Sequence, residues 1–219
     1  HRYLTGEQFA KLTGVELPTY RLCHARDLFV FSTFTGLGRA DLANLTSENI
    51  VTEPDGSRWI HIERQKTKAE CHIKLLDIPS RIIDRYKGEG KDGKLFFVPA
   101  TSSLCRSLKM IEEQCKLGCH LTFYMARHSF ATLICLGNGV PIETISRMMG
   151  HSSIRTTQIY AEITNQKVNR DLLRLADTTK NQYSLPDDKM TPRVYQCGRY
   201  NGWKEEEDKD DNRTSGKAM

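Results

Sequence analysis

The chain has 219 residues, enough for one domain of about 150–200 residues with a sizeable core, plus a tail. It holds no apolar run near the ~18 residues of a membrane span and no short apolar stretch behind a basic start, so a soluble, cytoplasmic protein is expected. The net charge is +5, and residues 181–219 carry seven Lys or Arg against eight Asp or Glu, which leaves +6 on residues 1–180; the basic part is the part expected to fold, and it suits an anionic partner such as nucleic acid.

Leu4-Thr5-Gly6-Glu7-Gln8 carries a capping signal for a short helix with Phe9 and Leu12 on one side, which Leu17-Pro18 breaks. From Tyr20 to Thr35 the apolar residues Leu22, Ala25, Leu28, Phe29, Phe31 and Phe34 are dense enough for a helix buried on most sides, ended by Gly36. A second short helix covers 39–45. Ile50 to Thr52, Trp59 to Glu63 and Cys71 to Leu76 read as three strands, separated by a Pro54-Asp55-Gly56-Ser57 turn and by residues 66–70. Helices are expected over about 79–87, 101–117 and 122–136, with 94–98 as an extended link. The chain thus predicts an α+β domain, mainly α, with a small three-stranded antiparallel sheet. Helical spacing continues to about Leu175, after which residues 178–219 lack an apolar period, contain Glu205-Glu206-Glu207-Asp208, and read as a disordered polar tail.

The seven cysteines (23, 71, 105, 115, 119, 135 and 197) are scattered without Cys-x-x-Cys pairs, so reduced thiols are the expectation. Cys115, Cys119 and His120 lack an evident fourth ligand nearby, and no metal is expected.

The densest chemistry lies between Arg127 and Tyr160. Pro141 opens a helix where its missing N–H costs nothing, Ile142, Ile145, Met148 and Met149 repeat at helical spacing, and Gly150 supplies a left-handed exit. His151 then sits in a turn just past a helix end. Ser152 or Ser153 can cap the next short helix, and Tyr160 follows His151 by nine residues, near that helix's end. Taken singly, Tyr160 would read as a packing aromatic, Arg127 as a helix-start ion pair and His151 as a capping residue. Their joint spacing can instead bring a guanidinium, an imidazole and a phenol to one phosphate.

On these residues the chain resembles the tyrosine recombinase (phage integrase) family, especially integrases of mobile elements in Bacteroides-type bacteria. The matching stretches are Phe34-Thr35-Gly36-Leu37, the Gln65-Lys66-Thr67-Lys68 hairpin, Met125 to Thr132, Met149-Gly150-His151 and Thr156 to Tyr160, and the resemblance covers about residues 20–177. It implies a catalytic domain over 20–177, a linker over 1–19 leading into it, and the tail beyond. Because the chain begins with His1, it reads as a piece of a longer protein that carries an amino-terminal DNA-clamping domain.

The resemblance further implies that Tyr160 attacks a DNA phosphodiester to give a 3′-phosphotyrosine and a free 5′-hydroxyl, and that a second strand's hydroxyl reverses the step without metal, cofactor or nucleotide. Arg127 corresponds to the family's second arginine, His151 to its later histidine, and Lys66 to its hairpin lysine, the proton donor to the leaving oxygen. Expected partners are double-stranded DNA and further copies of the chain, a monomer when free and a tetramer on paired sites. Neither a small-molecule substrate nor a membrane is expected.

Two positions depart from the family pattern. Gly38 stands where the first arginine is expected, with Arg39 one residue later, a rotation of about 100° on a helix. Arg39, or an arginine from elsewhere such as Arg26, would have to supply that charge. Tyr124 replaces the histidine three residues before Arg127; a phenol can donate to a phosphate oxygen but is a poor base at neutral pH. A DNA-binding module that no longer cuts, and a relaxing topoisomerase of similar chemistry, are the competing readings. Lys68 and His72 carry no expected role, His61 could reach DNA, and His128 is expected to pack.

Overall fold

A computed structural model of the chain describes residues 3–160 and 165–180. One compact unit spans His1–Asp177; of the second, Thr178–Met219, only Thr178 to Lys180 are described, as the end of a helix. The rest of the tail read as disordered lies outside the described residues.

The helices are α1 (Gly6–Gly14), α2 (Tyr20–Thr35), α3 (Arg39–Asn44), α4 (Asp77–Arg85), α5 (Thr101–Cys115), α6 (Phe123–Ser129), α7 (Ile142–Met149), α8 (Ile154–Gln158) and α9 (Asn165–Lys180). The strands β1 (Ile50–Thr52), β2 (Arg58–Glu63) and β3 (Glu70–Lys74) form one antiparallel sheet in the order β1-β2-β3, with Ile60 opposite Ile50 and Ile73. The mainly helical fold with a small antiparallel sheet is as the sequence indicates.

Thr5 accepts from Gln8 N at 3.2 Å while Gln8 Oε1 accepts from Thr5 N at 2.9 Å, so the expected cap of α1 closes in both directions. Gln8 also donates to Leu117 O, and Leu4 N to Ser129 Oγ, with Leu4 and Leu12 fully buried. The segment read as a linker is therefore packed onto the body through α1. Helix α2 is buried on nearly all sides and packs against α4, α5 and α6, which makes it the centre of the main core.

The helix expected over 122–136 is not continuous. After α6 the backbone widens into a π-wound stretch over Phe130–Cys135 and closes in one 3₁₀ turn, Leu136–Asn138. The widening begins at Phe130, whose ring fills the space beside Gly36. Gly36 has φ +67°, and a Cβ there would stand 2.5 Å from that ring, so only glycine serves. A second, smaller core gathers Phe130, Ala131, Cys135, Ile145, Met149 and Tyr160.

Candidate active site

Helix α6, seated on α2, presents Arg127 toward the turn at the end of α2. Its Nη1 donates to Gly36 O at 2.5 Å and its Nη2 to Met149 O at 2.8 Å, so one guanidinium ties the C-terminal ends of α2 and α7 together. Arg127 Nη2 also lies 3.0 Å from His151 Nε2. Because a guanidinium can only donate, that nitrogen accepts, and the imidazole proton sits on Nδ1, which donates to Thr157 Oγ1 at 2.8 Å. Burial, reinforced by Arg127 and Arg64, pushes the His151 pKa down to about 4, in keeping with a neutral ring.

Gly150 ends α7 at φ +64°, as its exit role required, and Ser153 caps α8 by accepting from Arg155 N at 3.3 Å. The chain then delivers Tyr160, 4% exposed, with its ring 6.2 Å from that of His151 and nearly parallel to it. On the other side it packs edge-on against His128 at 4.6 Å, and His128 in turn against Tyr124 at 4.6 Å. His128 packs, as expected, and it does so as the wall behind the phenol. Burial and then Tyr124 raise the Tyr160 pKa, while Arg127 works against them; the phenol therefore keeps its proton at neutral pH.

The structure thus brings Arg127, His151, Tyr124 and Tyr160 into one cluster. Lys66 sits exposed at the hairpin tip beside Thr67, whose Oγ1 donates to Gly150 O at 2.9 Å and pins the tip next to His151. Lys68 turns away to pair with Glu63 at 3.2 Å. Arg39 donates to Pro99 O at 3.2 Å, and no described contact joins it to the cluster. The correction has a simple cause: Gly38 is the extended cap before α3 and Arg39 is its first helical residue, so the side chain leaves the Gly36 turn and reaches Pro99 O instead. Arg26 is held by Asp27 at 2.9 Å and by Val15 O at 2.9 Å, and Asp27 also binds Arg85 and Tyr86.

A guanidinium that sequence reading passed over lies next to Arg127. Arg64 continues the inward face of β2 after Ile60 and Ile62 and is 3% exposed. Its Nη1 bonds Asp41 Oδ2 at 2.8 Å and its Nη2 bonds Met148 O at 3.0 Å. The signal was the alternation itself, since an arginine on the apolar register of a strand must find buried partners. Thr157 was also missed; nothing in its spacing marks it as the acceptor for His151.

A groove of about 650 Å³ opens beside His151, between Trp59, His72 and Lys74 of the sheet and Thr144, Arg147 and Met148 of α7. His61 faces His72 across β2 and β3, with ring centroids 4.4 Å apart. Among the described residues no group of His, Cys, Asp or Glu is arranged to hold a metal, and His120 instead approaches Glu112 at 3.5 Å. Among the same residues no helix is long and apolar enough to cross a membrane.

The chain matches the phage integrase family over residues 2–167. It is 28% identical over 149 residues to tyrosine recombinase XerA of Saccharolobus solfataricus, covering 68% of this chain and 49% of that one, and 29% identical over 174 residues to XerA of Thermococcus onnurineus, covering 74% and 58%. The chain spans about half the length of these curated relatives. Among solved structures, an XerA recombinase superposes with a TM-score of 0.63 at 20% identity, covering 79% of this chain and 64% of that one. The XerH site-specific recombinase bound to its difH substrate before cleavage gives 0.62 at 20% identity, covering 78% and 54%. At these identities the likeness shows a common fold.

Proposed function

Because the chain belongs to the phage integrase family, we propose that it is the catalytic portion of a site-specific recombinase that cuts and rejoins double-stranded DNA through Tyr160. The observation that carries this reading is the convergence of a buried phenol, a neutral imidazole and a guanidinium at the junction of α2, α6 and α7. In-line attack by the Tyr160 oxygen forms the bond to phosphorus as the bond to the 5′-oxygen breaks. Negative charge then gathers on the non-bridging oxygens, where Arg127 offers a fork already held in place by two carbonyls. Tyr124, 62% exposed, can donate to the same phosphate. The phenol is protonated in the resting site and burial raises its pKa further, so its proton is lost to solvent water as the attack proceeds and not before it. Lys66, on the pinned but exposed hairpin tip, supplies the proton that the departing 5′-oxygen takes up.

The finer kinship with integrases of Bacteroides-type mobile elements rests on the wording of the Phe34 to Leu37, Gln65 to Lys68 and Thr156 to Tyr160 stretches. Recombination would join two duplexes in a tetramer of chains, with the free chain monomeric.

The test is to incubate the chain with nicked duplexes of randomised sequence and to isolate detergent-stable protein–DNA adducts. Adducts that Tyr160→Phe abolishes support the reading. Binding without any adduct would leave a DNA-gripping module, the outcome favoured by the Gly38 and Tyr124 departures.

A further inference from the structure

The turn Gly36-Leu37-Gly38 offers no guanidinium of its own, and Arg64 reaches into it from the hairpin. Arg64 Nη2 donates to Gly36 O at 3.4 Å, the same carbonyl that Arg127 holds at 2.5 Å. Arg64 Nη1 takes Asp41 Oδ2, the oxygen that also receives Gly38 N at 3.4 Å. Its Nε is buried without a hydrogen-bond partner among the described residues.

Resting on the recombinase reading, we propose that Arg64 is the second phosphate-binding guanidinium of the site, supplied by the residue that follows β2 in place of the side chain that Gly38 lacks. Charge supports it. Sharing one carbonyl holds the two guanidinium groups within about 6 Å, where like charges with little water between them repel. Among the described residues Asp41 is the one carboxylate in salt-bridge reach of the pair, so a positive charge is left over. Neutral His151 does not offset it. A phosphodiester with two non-bridging oxygens is the matching anion, and Arg127 is held below its ordinary pKa by burial and by Arg64, as two cations awaiting an anion should be. Gly150 makes the approach possible, since a Cβ there would stand 2.6 Å from Arg64 Cγ. A brace between the hairpin, α3 and α7 would account for the bonds to Asp41 and Met148, but not for the orphaned Nε or the surplus charge.

The experiment compares the whole chain with Arg64→Met, Arg64→Lys and the double change Arg64→Met with Gly38→Arg. Position 38 has φ −78°, and its Cβ would meet only Asp41 Oδ2 at 3.6 Å, so an arginine fits. Adduct formation is timed on duplexes captured by the unaltered chain, with a normal scissile phosphate and with a methylphosphonate, in which a methyl replaces one charged oxygen. Arg64→Met is expected to slow the phosphate reaction about 100-fold but the methylphosphonate reaction less than about fivefold, and Gly38→Arg to recover about tenfold of the loss. Equal loss on both substrates without recovery, or a loss under about threefold, overturns the proposal. Should Arg64→Met fail to melt cooperatively, Arg64→Lys decides by the same contrast between the two substrates.

If the unaltered chain forms no adduct with any duplex, the recombinase reading falls. The role of Arg64 is then settled by titrating inorganic phosphate against the melting temperature. Saturable stabilisation that Arg64→Met weakens about tenfold sustains it, and an unchanged or absent response sinks it.

Discussion

Arg127 and Tyr160 face each other from two cores of unequal size. Arg127 rides on α6, whose Met125 and Ala126 belong to the main core with Leu28, Phe29, Phe31 and Leu108. Tyr160 belongs to the small cluster with Phe130, Ala131, Cys135, Ile145 and Met149. Opening the small cluster exposes far less apolar surface than opening the large one, so Tyr160 sits on the part of the molecule that costs less to release. The comparison teaches that the two sides of the cluster rest on supports of different size, Arg127 beside the larger core and Tyr160 within the smaller.

The strongest way to break this comparison is Arg127→Ala. Cleavage in single-turnover adduct assays is expected to fall about 10³-fold, about 4 kcal/mol of transition-state stabilisation, against a loss of folding stability of about 1–2 kcal/mol from the two carbonyls left unpaired. Matching losses of stability and rate would make Arg127 a structural tie and not a charge holder.

Next comes a pair of core truncations. Leu28→Ala, in the main core, is expected to cost about 3 kcal/mol of global stability by denaturant unfolding. Ile145→Ala, equally buried in the small cluster, should instead show itself as faster hydrogen exchange confined to residues 142–160, with a smaller shift of the global midpoint. Indistinguishable exchange patterns in the two variants would abolish the division into two cores.

Acid offers a third handle. The His151 pKa of about 4 lies below the ordinary 6.5, so between those values the unfolded chain takes up a proton that the folded site refuses. Stability from this group is full above about pH 6.5, declines as the pH falls toward 4 and loses no more below that. His151→Gln should flatten that stretch of the stability curve; an unaltered slope would refute it.

The smallest expected effect is that of Thr157→Val. Losing the acceptor for Nδ1–H frees the imidazole tautomer and should slow adduct formation about tenfold with a loss of stability of about 1 kcal/mol, and a rate within twofold of the parent would remove Thr157 from the site.

Much of the architecture is legible in the chain because its signals are local. The caps at Thr5 and Ser153, the glycine exits at Gly36 and Gly150, and the dense apolar run of α2 each follow from residues within a few positions of one another. The order of Arg127, His151 and Tyr160 is legible for the same reason, as one turn and two helices bound their spacing. The π-wound stretch after α6 is not, since it begins where the Phe130 ring meets Gly36, 94 residues earlier in sequence.

The sequence by itself determined most of the helices, the small sheet and the order of the three residues that converge near its last motif, because backbone propensity and apolar period act over short range. Only the tertiary structure decided which arginine stands beside Arg127. Arg39 and Arg26 are turned to other acceptors, and Arg64 is brought in by pairing of a hairpin with Asp41 and the end of α7. A buried guanidinium goes where carbonyls and a carboxylate from distant segments meet, and only folding puts them in one place.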